Sequence, residues 1–275
     1  MAASSVPTSG AGRPFSLTAR GLTVHRADRP ILVDVDLSLS ERSRMAVVGP
    51  NGVGKSTLLQ ILAGRLTPDR GRLTPAPLDL TVGLLAQEPP IASAATVREM
   101  VADRLGVTAA ARELEESAGA IGAADDAGAG PAAQRYDRAL ERYLAVGAAD
   151  LGARLEEVAD RLGLARHLLD AAPGTLSGGE AERVGLAMVM VSRFDLTLLD
   201  EPTNNLDLDG LDLLERWVVD HPGGLVLVSH DRAFLERTVT SVVEIDGHHH
   251  TATEFNGGWG AYQRERAVAA ARAQV

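Results

Sequence analysis

The sequence predicts an α/β fold in which a strand-and-helix core is interrupted by a helical insertion. Three observations carry this expectation. Short apolar runs bounded by turn residues alternate with segments of helical spacing. The continuous apolar run Met45 to Val48 leads into a glycine-rich turn and then a helix. Residues 96–171 hold no strand signal and are dominated by Ala, Glu, Arg and Leu.

Taken in order, Met1 to Pro14 is small, polar and Gly/Pro-containing, with no apolar centre, and reads as a disordered lead-in. Val24, Val33, Val35, Leu37 and Leu39 sit in alternating runs that predict strands. Met45 to Val48 has the unbroken apolar pattern of a strand buried on both faces. After the turn, a helix is expected from about Lys55 to Ala63, closed by Gly64. Further strands are expected at Leu80 to Leu85, Leu196 to Leu199, Leu225 to Val228 and Ser241 to Ile245, and helices at Gly178 to Ser192, Leu208 to Val219 and Arg232 to Arg237. In the middle, Leu140, Tyr143 and Leu144, then Leu151, Leu155, Val158 and Leu162, recur at helical spacing. Ala118 to Ala133, rich in Ala, Gly and Asp, reads as a mobile loop between helices. The expected division is 15–95 and 172–258 for the core, 96–171 for the helical insertion, and 259–275 for a terminal helix.

Composition sets bounds. The 275 residues are 45% hydrophobic, enough for a sizeable core. There is no cysteine, which excludes disulfides and thiolate metal sites and fits a cytoplasmic protein. No apolar run has the length of a membrane span. A formal charge of −10 argues against DNA binding by bulk electrostatics. Arginine serves almost everywhere as the basic residue, and Lys55 is the only lysine.

That lysine closes the segment Gly49-Pro-Asn51-Gly52-Val-Gly54-Lys55-Ser56-Thr57, a G-x-x-x-x-G-K-[ST] sequence between a strand and a helix. Glycines let backbone N–H groups curl around a phosphate, and the helix start adds its positive end. Lys55 brings a full charge to the phosphates, and the Ser56 hydroxyl suits Mg²⁺. A glycine-rich turn without a ligand would not require this strand and helix around it. Leu196-Thr-Leu-Leu-Asp200-Glu201 supplies the second half, an apolar strand ending in two carboxylates. Asp200 is expected to hold Mg²⁺, and Glu201 to polarise the attacking water. His248-His249-His250 falls in a turn where three consecutive side chains cannot readily converge on one ion.

Leu176-Ser177-Gly178-Gly179-Glu180 resembles the signature motif of ATP-binding cassette proteins. The resemblance, which covers about Phe15 to the end, implies a P-loop ATPase with an antiparallel β subdomain and a helical subdomain. It implies that Ser177, Gly178 and Gly179 meet the γ-phosphate bound by a second cassette. By the same resemblance Gln87 contacts Mg²⁺ and water, Asn205-Leu206-Asp207 crosses to the other cassette, and His230 hydrogen-bonds the γ-phosphate. The family's adenine-stacking aromatic has its best match in His25, a departure from the usual tyrosine. ATP and Mg²⁺ are the implied ligands, and ATP hydrolysis the implied activity.

Within that family, Thr203-Asn-Asn-Leu-Asp207, His230-Asp-Arg-Ala-Phe-Leu235 and the long stretch between Gln87 and Leu176 resemble the ABC-F branch. Phe255-Asn-Gly-Gly-Trp-Gly-Ala-Tyr262 resembles the exit of a first ABC-F cassette into its linker. ABC-F proteins carry tandem cassettes and act on the ribosome, as translation factors or in antibiotic resistance. A second cassette and the ribosome are thus the implied partners. The alternatives are the ATPase subunit of a membrane transporter and a nucleotide-binding module without turnover. The insertion's 14 acidic residues against nine arginines (residues 96–171) speak against simple RNA contact by that segment.

Overall fold

The computed structural model describes residues 13–27, 29–86, 95–123, 128–204 and 206–273. Its elements run β1 (Ser16–Arg26), β2 (Arg29–Ser40), β3 (Arg44–Val48), α1 (Lys55–Leu62), β4 (Arg70–Ala76), β5 (Val82–Ala86), α2 (Val97–Arg104), α3 (Val107–Ala123), α4 (Ala129–Ala145), α5 (Leu151–Arg161), α6 (Gly178–Val191), β6 (Leu196–Asp200), α7 (Leu208–Asp220), β7 (Gly224–Val228), α8 (Arg232–Thr238), β8 (Ser241–Ile245), β9 (Ala252–Asn256) and α9 (Gly258–Ala273). The chain divides into two compact units: 12–87 with 195–275, and 88–194 with the first 11 residues.

The first unit holds both sheets. A six-stranded sheet has the order β5-β6-β7-β3-β8-β9, parallel except where β9 pairs antiparallel with β8. β3, β6 and β7 are its buried centre, which is why residues 45–48, 196–199 (with the buried Thr197) and 225–228 read as largely apolar runs. A three-stranded antiparallel sheet has the order β2-β1-β4. Its strands alternate, with Leu17, Ala19, Leu22 and Val24 of β1 buried and their neighbours outward. Side chains from both sheets and from α1 (Leu58, Leu59, Ile61, Leu62) form one core cluster. The sheet floor is pinned by the wholly buried Asp195 carboxylate. It accepts hydrogen bonds from Arg13 Nε (2.9 Å) and Nη2 (2.9 Å) and from the Thr81 amide and hydroxyl (2.8 Å each).

The regular elements of the second unit, among the described residues, are all helices. α2 and α6 both begin with capping boxes, Thr96 with Glu99 and Ser177 with Glu180. α3 and α4 pack side by side, joined by residues 124–128. Ion pairs Glu113–Arg142 (3.2 Å) and Glu116–Arg135 (3.9 Å) fix them as antiparallel.

Two expectations change. The loop expected over 118–133 is helix at 118–123 and 129–133. Alanine's helix propensity decides here, and the composition had concealed it. β4 and β9 were not foreseen: β4 is polar and mostly exposed, and β9 alternates weakly, so neither carries a strong apolar pattern. The strands and helices expected elsewhere in the core form within two residues of their expected ends.

Candidate functional site

The turn after β3 is built on glycines that no other residue replaces cheaply. Gly54 caps α1 with φ +117°, and a Cβ there would lie 2.9 Å from Ile31 Cγ2 and 3.0 Å from its carbonyl oxygen. Gly49 has φ +149°, and its Cβ would lie 2.7 Å from the Ile245 carbonyl oxygen. The loop can therefore press against its surroundings and turn its amides outward. Lys55 folds back over it, donating from Nζ to the carbonyls of Gly49 (2.9 Å) and Pro50 (3.2 Å).

Beside the loop lies an open cleft of about 350 Å³. Asn51, Gly52, Gly54, Lys55, Ser56 and Thr57 line one side. Asp200, Glu201 and His230 come from the C-terminal ends of neighbouring parallel strands β6 and β7, the edge where open α/β sheets bind ligands. Arg26 and Ile31, from β1 and β2, complete the wall.

Glu201 is the most constrained of these residues. Its backbone has φ +53°, sparsely populated for a residue with a Cβ, and its amide donates to Val228 O at 2.9 Å. Its Oε1 lies 3.3 Å from His230 Nε2, while Oε2 is buried without a hydrogen-bond partner among the described residues. The carboxylate side chain is 21% exposed and the imidazole 64%. A buried acceptor oxygen at a cleft wall is suited to receive a proton from a bound water. Next to it, Thr203 Oγ1 and Ser229 Oγ are 2.8 Å apart, and Ser229 Oγ accepts from the Asp231 amide (3.0 Å). These bonds tie the two strand-end loops together.

The donor set fits a hard cation held jointly with a phosphate ligand. The Ser56 hydroxyl and the Asp200 carboxylate both line the cleft, and oxygen donors suit Mg²⁺. Among the described residues no group of three His, Cys, Asp or Glu could hold a metal alone, so phosphate and water oxygens would complete the shell. The histidine run follows the same pattern: His248 and His249 donate their amides to Asp246 Oδ1 (2.8 and 2.6 Å), and these bonds push the Asp246 carboxyl down to about 2.

Other expected site residues fall differently. His25 is not brought into the cleft. Its amide and ring bind Asp69 Oδ2 (2.7 and 3.2 Å), and its chain neighbour Arg26 lines the wall instead. Gly49 lines an adjacent cavity. Gln87 and Asn205 lie outside the described residues. Asp207 caps α7, accepting from the Gly210 amide at 2.8 Å. In the helical unit, Ser177 Oγ donates to Glu180 Oε2 (2.7 Å) and accepts from its amide (3.4 Å), with Gly178 and Gly179 in the first turn of α6. The Ser177 hydroxyl and amide hold the Glu180 carboxyl below its ordinary value. Arg26 and Ile31 escaped the sequence reading because nothing in an alternating strand marks which residue overhangs a neighbouring loop.

Comparison with known proteins agrees with this geometry. The chain is 36% identical over 264 residues to the tylosin resistance ATP-binding protein TlrC of Streptomyces fradiae, covering 94% of this chain and 47% of that one. It is 34% identical over 253 residues to the energy-dependent translational throttle protein EttA of Mycobacterium tuberculosis, covering 92% and 44%. The chain thus spans less than half the length of these curated relatives. Among solved structures, an ATP binding subunit of an ABC transporter matches with TM-score 0.65 at 19% identity, over 87% of this chain and 89% of that one, which establishes a shared fold. No helix among the described residues is long and apolar enough to cross a membrane. A sequence profile of the family described as "ABC transporter" matches residues 32–204, and the chain belongs to this ATP-binding cassette family as an ATP-hydrolysing domain.

Proposed function

We propose that this chain is a cassette of the ABC-F type, binding Mg-ATP in the cleft beside Lys55 and acting, together with a second cassette, on the ribosome. The observation that carries the ribosomal reading is the 34–36% identity, over nearly the whole chain, to proteins named for tylosin resistance and for translational throttling. The Thr203 to Asp207 sequence and the antiparallel pair α3–α4, where ABC-F proteins carry a helical arm, support the same branch. A cytoplasmic location follows from that reading.

The roles proposed for the site follow from its chemistry. The loop amides and the Lys55 ammonium bind the phosphates. Ser56 and Asp200 would hold Mg²⁺, with Gln87 assigned to it by family resemblance, and the ion would supply neutralisation of phosphate charge. Glu201 Oε2 orients a water and takes its proton as the water oxygen bonds to the γ-phosphorus and the bond to the β,γ-bridging oxygen breaks. His230 donates to the γ-phosphate and keeps Oε1 of Glu201 in place. Purine contact falls to Arg26 and Ile31, which line the cleft, in place of His25, which is held by Asp69 outside it. The signature residues Ser177, Gly178 and Gly179 serve the nucleotide of the opposite cassette.

Glu201→Gln tests the proposal. The variant is expected to bind Mg-ATP with strongly reduced turnover and to shift from monomer to dimer in light scattering. Joined to a second cassette, it is expected to sediment with ribosomes only when ATP is present. Failure to sediment under any nucleotide condition removes the ribosomal reading. Co-purification of an integral membrane protein instead would place the chain with transporter subunits.

A further inference from the structure

A second, smaller cavity of about 140 Å³ adjoins the cleft and shares Lys55 and His230 with it. Its other walls include Gly49, Ser229, Arg232 and Trp259. Lys55, His230 and Arg232 are basic or protonatable, Ser229 offers a hydroxyl, and no carboxylate lines it among the described residues. Arg232 has no ion pair or side-chain hydrogen bond among the described residues, unlike the many arginines of this chain that are paired with carboxylates. A small compartment with this lining selects a compact oxyanion. The residues it shares with the cleft are those proposed to hold the γ-phosphate.

We propose that this cavity is a binding site for inorganic phosphate, taken up after hydrolysis on its way out, and that Trp259 senses its occupancy. This rests on the assignment of the cleft to ATP. Trp259 stands in the first turn of α9, whose start is fixed to the sheet. The Gly258 amide donates to Thr240 O (2.8 Å), and Gly258 adopts φ +74° with no room for a Cβ beside Val239 O (2.8 Å). The indole packs on Tyr262 (centroids 5.1 Å apart), which packs edge-on against Phe255 (5.2 Å). A phosphate bound between Arg232 and Trp259 therefore touches the first turn of α9. Departure of the product is reported to α9 through one side chain.

The chain has two tryptophans, so Trp217→Phe leaves Trp259 as the single tryptophan, excited selectively at wavelengths the three tyrosines do not absorb. Phosphate is titrated into that protein without nucleotide and with Mg-ADP, against potassium chloride of matched ionic strength. A saturable change in Trp259 emission is expected with phosphate alone. Arg232→Ala is expected to weaken it about tenfold and Arg232→Lys less, while the ATP KM stays within about twofold. An unchanged phosphate affinity in Arg232→Ala, or an equal response to chloride, overturns the proposal. ATP affinity is measured in parallel with Lys55→Ala. If that substitution leaves ATP binding intact, the cleft assignment fails, and the nucleotide-free titration still decides the phosphate site.

Discussion

Glu201 and His230 meet at 3.3 Å across the ends of two hydrogen-bonded parallel strands, one carboxylate oxygen engaged by the imidazole and the other buried with no hydrogen-bond partner among the described residues. Under the proposed mechanism, the two oxygens of this carboxylate divide positioning from chemistry. Glu201→Gln keeps the shape and removes the proton acceptor. Its kcat is expected to fall about 10²–10⁴-fold with ATP affinity little changed. His230→Ala is expected to lose about 10²–10³-fold, as for a lost donor to developing charge. Phosphate release at saturating Mg-ATP, alongside equilibrium ATP binding, checks both.

Gly54→Ala tests the loop. The added methyl meets Ile31 on two sides while φ stays at +117°, a backbone region costing about 1–3 kcal/mol for a residue with a Cβ. ATP affinity measured by calorimetry is expected to drop more than about tenfold, with a lower melting temperature.

His221 makes stability fall in mild acid. Burial, with a smaller contribution from the nearby Arg44 guanidinium, lowers its imidazole from 6.5 to about 4. Its ring lies against Trp217, centroids 4.4 Å apart and tilted by 38°, and its Nε2 has no hydrogen-bond partner among the described residues. Between those two values the unfolded chain binds the proton and the folded one does not. Stability is therefore full above pH 6.5 and declines as pH drops toward 4, by about 3 kcal/mol in all. His221→Phe is expected to flatten that part of the curve. Urea midpoints at pH 7, 5.5 and 4.5, compared between the two proteins, isolate the contribution from the carboxylates.

Removing Asp195 leaves Arg13 and Thr81 facing each other without their common acceptor. Asp195→Ala is expected to cost about 3–5 kcal/mol in urea unfolding, as for a broken buried ion pair, and Asp195→Asn less, since it keeps one acceptor oxygen.

The parts of this molecule legible in its sequence are those with one dominant physical signal. β3, β6 and β7 are buried on both faces and can be little else than apolar runs. The Gly49 to Thr57 turn announces itself because its glycines are steric necessities. The edge strands β4 and β9 are legible only through their partners, since exposure removes the pattern that would mark them. Arg26 illustrates the limit at the site. Whether it or His25 faces the cleft depends on the register irregularities of β1 against β2 between Ala19 and His25, which shift the side-chain alternation. The His25–Asp69 pairing belongs to the same tertiary information. The cavity behind the loop needs α8 and α9 brought to β3, and no local spacing encodes that.

Lys55 carries the sole ε-amine of the chain, and in this structure that amine lies hydrogen-bonded to two loop carbonyls. Acylating reagents selective for amines therefore have one side-chain target in the whole polypeptide besides the α-amino terminus. Mass spectrometry of a single tryptic-resistant arginine-bounded peptide becomes an occupancy meter, with modification suppressed in proportion to nucleotide bound. A planar guanidinium, larger and with its donors in a fixed fork, would not reproduce the compact ammonium that reaches both of those loop carbonyls.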